Sequence, residues 1–273
     1  IQRGLTAIIG GGGKSTLLRA LAEELSHDAR VVVATSTKMY VPDWCPVVLG
    51  ASPDDVQAAL SEAPIVCAGP IHPPTGKLTE PRAAFSGLVC LADYVLVEAD
   101  GAKKLPLKAH AEHEPVIPAC AGRTVCVVGV DGLGAPVSQT CHRPQIFAQL
   151  AGVSADDAVT PEAVAAVLCA EALHDVVLIN KVETAADWQA ARRIAALCDT
   201  PVVAGSLWRD DACGDPWRRR YRQRHRAAPC AMRRFRAYDR DRAAFDGPSH
   251  RCLQRSRSHG KSPGGRRDGR ACP

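Results

Sequence analysis

The sequence has no pair of cysteines at C-x-x-C spacing, and the closest two of its 12, Cys120 and Cys126, lie six positions apart. That argues against a disulfide framework or a zinc site as the leading reading. With no secretory segment ahead of the first apolar run, scattered free thiols in a cytoplasmic protein are expected. No apolar run reaches the roughly 20 residues that a membrane helix requires, so a membrane is not an expected partner. Internal repeats are missing too, which sets solenoids and propellers aside. Aliphatic side chains nearly vanish from one region: between Arg209 and Pro273 the only Leu, Ile or Val is Leu253. Such a segment cannot bury enough apolar surface to offset its chain entropy, so disorder is expected there. It is also poor in acid. Of 34 Lys and Arg and 29 Asp and Glu in all, residues 209–273 hold 19 and 7, leaving 15 and 22, a net −7, before them. The Arg, Pro, Gly, Cys and His bias of this tail fits a basic arm, or equally a GC-rich gene read out of frame. Nucleic acid is not an expected partner on composition alone. The chain opens on Ile1 rather than Met, and a few N-terminal residues are expected to lie outside it.

Residues 1–208 are rich in Val, Leu, Ile and Ala, and short β-branched runs alternate with helical patterns. LTAII (5–9), VVVAT (31–35), IVCAG (65–69), YVLVE (94–98), TVCVVGV (124–130), DVVLIN (175–180) and PVVAG (201–205) read as strands, the last of these closing the series. A helix after the first strand carries Leu17, Leu18, Leu21, Ala22 and Leu25 on one face. Others are expected from Ser52-Pro53-Asp54 onward, at 81–91, at 161–173 and at 186–198. Near-continuous apolar strands alternating with helices predict an α/β fold: a mostly parallel, doubly wound sheet over 1–208, with 209–273 a separate tail. Such sheets hold ligands at the carboxyl ends of their strands.

The unusual residues fall at those ends. GGGGKST (10–16) joins the first strand to the first helix. Glycines there let backbone N–H groups turn toward phosphate oxygens, and the helix N-terminus adds partial positive charge. Gly10, Gly11, Gly12, Gly13, Lys14, Ser15 and Thr16 are thus expected to hold a nucleotide, ATP or GTP, with Ser15 on Mg²⁺. Ile8 stands where the usual P-loop pattern begins with glycine, which indicates a shorter loop. G-x-x-G-K-[ST]-[ST] resembles the ATP loop of Mur-type ligases. Gly10–Ser15 also resembles the loop of ParA/Mrp-like ATPases, although Ile9 replaces the lysine that precedes their glycines.

YVLVEADG ends a buried strand in Glu98 and Asp100, which point the same way if the strand persists through Ala99. With Lys14 they are the candidate catalytic residues, and Glu98 joins Ser15 as a candidate Mg²⁺ ligand. LINKVE (178–183) resembles the N-K-x-D base reader of GTPases, with Glu183 in place of Asp; Asn180, Lys181 and Glu183 are candidates for the base, and turn chemistry is the alternative. TSTK (35–38) adds Thr37 and Lys38, for phosphate, Mg²⁺ or substrate, or as a capped polar turn. Between the carboxylates and Pro118 stand Lys103, Lys104, Lys108, His110, His113 and Glu114, a basic set suited to an anionic substrate. Arg143 joins Lys103, Lys104, Lys108 and His113 as a substrate candidate, helix capping being its other reading. His110 and His113 are candidates either for metal or for hydrogen bonding.

Taken in order, GGGGKST, TSTKMYVP (35–42), LVEADGAKKLPLKAHAEHEPVIP (96–118), VVGVDGLGAP (127–136), CHRP (141–144) and LINKVE resemble the YqeC family across residues 5–207. That family is associated with maturation of molybdenum hydroxylases that need a labile selenium cofactor. The resemblance implies a P-loop NTPase-like fold and a nucleotide-using accessory role whose partner is the hydroxylase or its cofactor. Two classes follow: a Mg²⁺-dependent NTPase, transferase or ligase, or a nucleotide-switched chaperone that docks the hydroxylase without small-molecule chemistry of its own. Family members are expected to end near Gly205–Leu207, so the tail is foreign to the pattern.

Overall fold

The computed structural model describes residues 1–207 and the backbone of 236–238. Its elements, in chain order, begin with β1 (Gly4–Gly10), α1 (Lys14–Leu25), β2 (Val31–Thr35), β3 (Lys38–Met39) and β4 (Val47–Val48). α2 (Pro53–Glu62), β5 (Ile65–Ala68), β6 (Ile71–His72), β7 (Lys77–Thr79), α3 (Phe85–Leu91) and β8 (Tyr94–Glu98) follow. Next come β9 (Leu107–Lys108), β10 (Ala121–Gly129), α4 (Val137–Thr140), β11 (Cys141–His142) and α5 (Pro144–Ala151). The rest are α6 (Pro161–Glu171), β12 (Val176–Asn180), α7 (Ala185–Leu197), β13 (Val202–Ala204) and β14 (Arg236–Tyr238).

Eight strands form one parallel sheet in the order β13-β12-β10-β1-β8-β2-β5-β4. Alternation along each strand supplies two faces. Ala7, Ile9, Val32, Ala34, Val95 and Val97 look one way and pack under α2, α3, α5, α6 and α7. Ile8, Val31, Val33 and Leu96 look the other way, under Leu17, Leu18 and Ala22 of α1 and under Met39 and Leu78 of the small β3-β7-β6 sheet. Burying a side chain such as Ile8 or Ile9 contributes about 1.5–3 kcal/mol. Helices therefore cover both faces, though unequally: among the described residues α2 to α7 contribute to one and α1 to the other. No helix among the described residues is long and apolar enough to cross a membrane.

The expectation that 201–205 is the last strand needs correction. β14 pairs antiparallel with β13, Val202 opposite Tyr238. Main-chain bonds to an open sheet edge need no particular side chains, so a three-residue strand leaves no period to read. The other expectations for 209–273 lie outside the described residues.

Chain order decides where the site forms. From β1 the chain passes over β8's position to β2 and β5, returns to β8, then crosses β1 to β10 and runs outward to β12 and β13. The carboxyl ends of β1, β8, β10 and β12 meet at this reversal, where open α/β sheets form their crevices. Register makes it specific: Ile8 lies opposite Glu98, Gly10 opposite Val127 and Gly129 opposite Asn180.

Candidate functional site

The glycine loop closes tightly on its neighbours. Gly10, Gly12 and Gly13 have φ of +91°, +76° and +129°, conformations that glycine adopts without strain. A Cβ on Gly10 would meet Val127 O at 2.3 Å, and one on Gly12 the Gly129 N at 2.3 Å. Gly12 N–H donates to Leu105 O and Gly129 N–H to Pro106 O, so 105–106 lies directly across the loop. Not every loop amide faces a phosphate site, as the sequence suggested. Gly10 N–H donates to Asp100 Oδ2, and Gly11 N–H to Val127 O. The amides of Gly13, Lys14, Ser15 and Thr16 have no partner among the described residues, and no side chain caps α1. Four free donors at a helix N-terminus suit an anion.

Lys14 is 6% exposed, and its Nζ lies 2.6 Å from Gly10 O and 3.0 Å from Asp100 Oδ1. Ser15 Oγ donates to Glu98 Oε2 at 3.3 Å. β8 ends at Glu98, yet both carboxylates converge on the loop, Glu98 on Ser15 and Asp100 on Gly10 and Lys14. Burial pushes the Glu98 carboxyl above its ordinary range, helped by nearby Asp100 and opposed by Lys14. Burial acts the same way on Asp100 and is overcome: the His110 hydrogen bond, Lys14, Lys108 and Gly10 N–H hold it well below the carboxylate range.

Behind Asp100 lies a charged network. His110 Nε2 is 2.8 Å from Asp100 Oδ2, and His110 Nδ1 is 2.8 Å from Glu171 Oε2 on α6. Burial lowers the His110 pKa, but the two carboxylates win and raise it. Both ring nitrogens are engaged, so His110 is a hydrogen-bonding residue here. No group of three or more His, Cys, Asp or Glu placed to hold a metal occurs among the described residues. Lys108 Nζ is enclosed by Gly101 O at 2.7 Å, Glu114 Oε2 at 3.0 Å and Asp100 Oδ2 at 3.3 Å.

Other candidates stand further out. Thr35 Oγ1 donates to Glu98 O at 2.8 Å and accepts from Thr37 N–H at 3.1 Å, a self-capped turn beside the site. Lys38 is exposed, with Nζ 3.4 Å from His72 Nε2. Lys103 and Lys104 are exposed at φ of +48° and +63°, and Lys104 Nζ lies 5.3 Å from the Tyr40 ring. Arg143 reaches His113 at 3.3 Å and Glu114 at 3.4 Å. Asn180 Nδ2 donates to Gly12 O, and Asn180 Oδ1 accepts from Leu207 N–H, both at 2.9 Å. Lys181 pairs with Asp131 at 2.6 Å, and Glu183 accepts from Ser206 Oγ at 3.0 Å.

With this geometry in place, comparison with known proteins becomes specific: the profile of the YqeC protein family matches residues 6–145, just over half of the chain. The chain belongs to the YqeC family. The YqeC match runs from β1 into α5, so it holds the glycine loop, Glu98, Asp100 and the lysine block; Asn180, Lys181, Glu183 and Glu171 lie beyond it. A YqeC protein of Escherichia coli (strain K12), itself named as uncharacterized, is 37% identical over 158 residues. That match covers 55% of this chain and 61% of the relative, so the chain spans about three fifths of the relative's length.

Glu171 went unread as a site residue because it ends an ordinary apolar helix, 61 residues from His110. Leu105 and Pro106 were equally silent: their carbonyls accept from Gly12 N–H in the loop and from Gly129 N–H beside it, and main-chain acceptors leave no mark on side-chain identity.

Proposed function

We propose that this protein binds a nucleoside triphosphate with Mg²⁺ at the loop 10–16 and hydrolyses it or uses it to activate an anionic substrate. The carrying observation is the convergence of three parts: the amides of Gly13 to Thr16, unpartnered among the described residues, the Lys14 ammonium, and the Ser15–Glu98 pair. The amides and the α1 N-terminus would bind phosphate oxygens, and Lys14 would neutralise their charge. The donor set fits Mg²⁺, since a hydroxyl and a carboxylate beside phosphates are the oxygen ligands that ion takes. Ser15 and Glu98 would hold the ion, which would supply charge neutralisation between phosphates. Asp100 would orient water or an acceptor group. Lys103 and Lys104 are the open cations of the adjacent block and would meet an anionic substrate, whereas Lys108 is committed to its carboxylates. The side chain of Asn180 supports the glycine loop, and base selectivity would fall to its neighbours in the 180–183 turn.

The family resemblance directs this chemistry to the maturation of a selenium-dependent molybdenum hydroxylase or its cofactor. Calorimetric titration of the full chain with ATP and GTP, with and without Mg²⁺, tests the reading. Binding of one nucleotide, strengthened by Mg²⁺ and weakened about tenfold or more in Lys14→Ala and Ser15→Ala, is the expected result. A folded wild-type chain that binds neither nucleotide overturns it.

A further inference from the structure

Lys14 is folded back on its own loop, and what holds it there is overfilled. Asp100 is fully buried. Its Oδ2 meets Gly10 N–H at 2.9 Å, His110 Nε2 at 2.8 Å and Lys108 Nζ at 3.3 Å. Its Oδ1 makes no hydrogen bond and has the Lys14 ammonium at 3.0 Å as its ion-pair partner among the described residues.

Counting only the groups in direct ion-pair contact among the described residues, the charges around Asp100 balance only without Lys14; Glu98 feels both Lys14 and Asp100 but is the carboxylate assigned above to Mg²⁺. Three carboxylates, Asp100, Glu114 and Glu171, face four cations: Lys14, Lys108, Arg143 and His110. His110 counts as a cation because a ring with a carboxylate on each nitrogen donates from both. Remove Lys14 and three charges face three. Leaving a buried carboxylate without a cation is strongly unfavourable, but Asp100 would retain two cations and a backbone N–H. Lys14 is the exchangeable member.

We propose that Asp100 is the resting seat of Lys14, that an incoming polyphosphate draws Lys14 off that seat, and that His110 is a positioning residue which eases the exchange by neutralising the vacated carboxylate. This rests on the phosphate-loop reading and deepens it. It also orders events. While Lys14 occupies Oδ1, that oxygen accepts nothing from water or a second substrate. Once Lys14 has moved to phosphate, Oδ1 is open beside the loop. Loading the triphosphate thus uncovers the carboxylate that orients the next reactant.

The test is calorimetry on the full chain with Mg-ATP, Mg-GTP and inorganic tripolyphosphate, comparing wild type, Asp100→Asn, His110→Gln and the double variant. Asp100→Asn releases Lys14 and binds about tenfold tighter; His110→Gln strengthens the hold of Asp100 on Lys14 and binds about tenfold weaker. The double variant follows Asp100→Asn, because His110 acts through Asp100. Each single change removes one charge from the same His110–Asp100 contact, so a merely structural role would weaken binding in both. Shifts in one direction overturn the proposal. If His110→Gln lacks a cooperative unfolding transition, Asp100→Asn decides alone, and unchanged or weaker binding overturns it. If wild type binds tripolyphosphate but neither nucleotide, the nucleotide reading falls and the tripolyphosphate pattern judges this one. If wild type binds none of the three, Asp100→Asn must gain tripolyphosphate binding; no gain sinks the proposal.

Discussion

His110 shows how much one side chain can be asked to hold. Its imidazolium joins a strand-end carboxylate to a helix-end carboxylate, and its side chain is only 3% exposed. Because its pKa is raised in the folded chain, its stabilisation is fully present below the unfolded value of about 6.5 and is lost as pH rises through the folded value. His142 and His174 are shifted the other way, chiefly by burial, so they act below about 6.5 and leave the window above it clear. As pH rises above about 6.5 the wild type is expected to lose stability at up to about 1.4 kcal/mol per pH unit, and His110→Gln to show a flatter profile. Denaturant midpoints at three pH values check this; parallel profiles for the two proteins would remove His110 as the cause. Asp100 and Glu114 have depressed values despite burial, so their contributions hold at neutral pH and fade only on acidification.

Among the elements, α7 carries a measurable consequence. Thr184 caps it by accepting from Asp187 N–H, and Asp187 returns a bond to Thr184 N–H while also taking Glu183 N–H. This capping box fixes the turn directly after Asn180, whose side chain supports Gly12. Thr184→Ala is expected to cost about 1 kcal/mol in chemical denaturation. An unchanged midpoint would mean that the turn is held by β12 and β13 alone. At this scale the sequence was informative where elements are long. LTAII, VVVAT, YVLVE and DVVLIN became β1, β2, β8 and β12 because strands buried on both faces are continuously apolar. Pro161–Glu171 and Ala185–Leu197 lie within two residues of the helices expected. Two-residue strands such as β3, β9 and β11 were invisible, since a period of two needs more than two residues. In the candidate site, the meeting of Lys14, Ser15, Glu98 and Asp100 was legible because the glycine loop and the acids both fall at the carboxyl ends of parallel strands. The pairing of His110 with Glu171, and the folding back of Lys14, depend on distances across the fold that no local pattern encodes.

On the scale of the whole molecule, eight cysteines among the described residues stand outside any disulfide. Cys67, Cys126, Cys141 and Cys198 are buried, and Cys90, Cys120 and Cys169 are exposed. Burial pushes the Cys141 thiol up to about 12 and that of half-buried Cys45 up to about 11. Maleimide labelling of the native chain, read by peptide mass mapping, is therefore expected to modify Cys90, Cys120 and Cys169 quickly, and the buried four only at the rate of unfolding. Fast labelling of Cys126, which packs against Gly10, would mean that the loop opens locally. Asn180 has a further consequence. It bonds to Gly12 at one end and to Leu207 at the other, across separations of 168 and 27 positions. A ribosome adding about 5–20 residues per second makes the glycine segment first and its support many seconds later. The nascent chain thus carries an unfinished loop through that interval, and the grip on Gly12 is completed only after Leu207 has emerged.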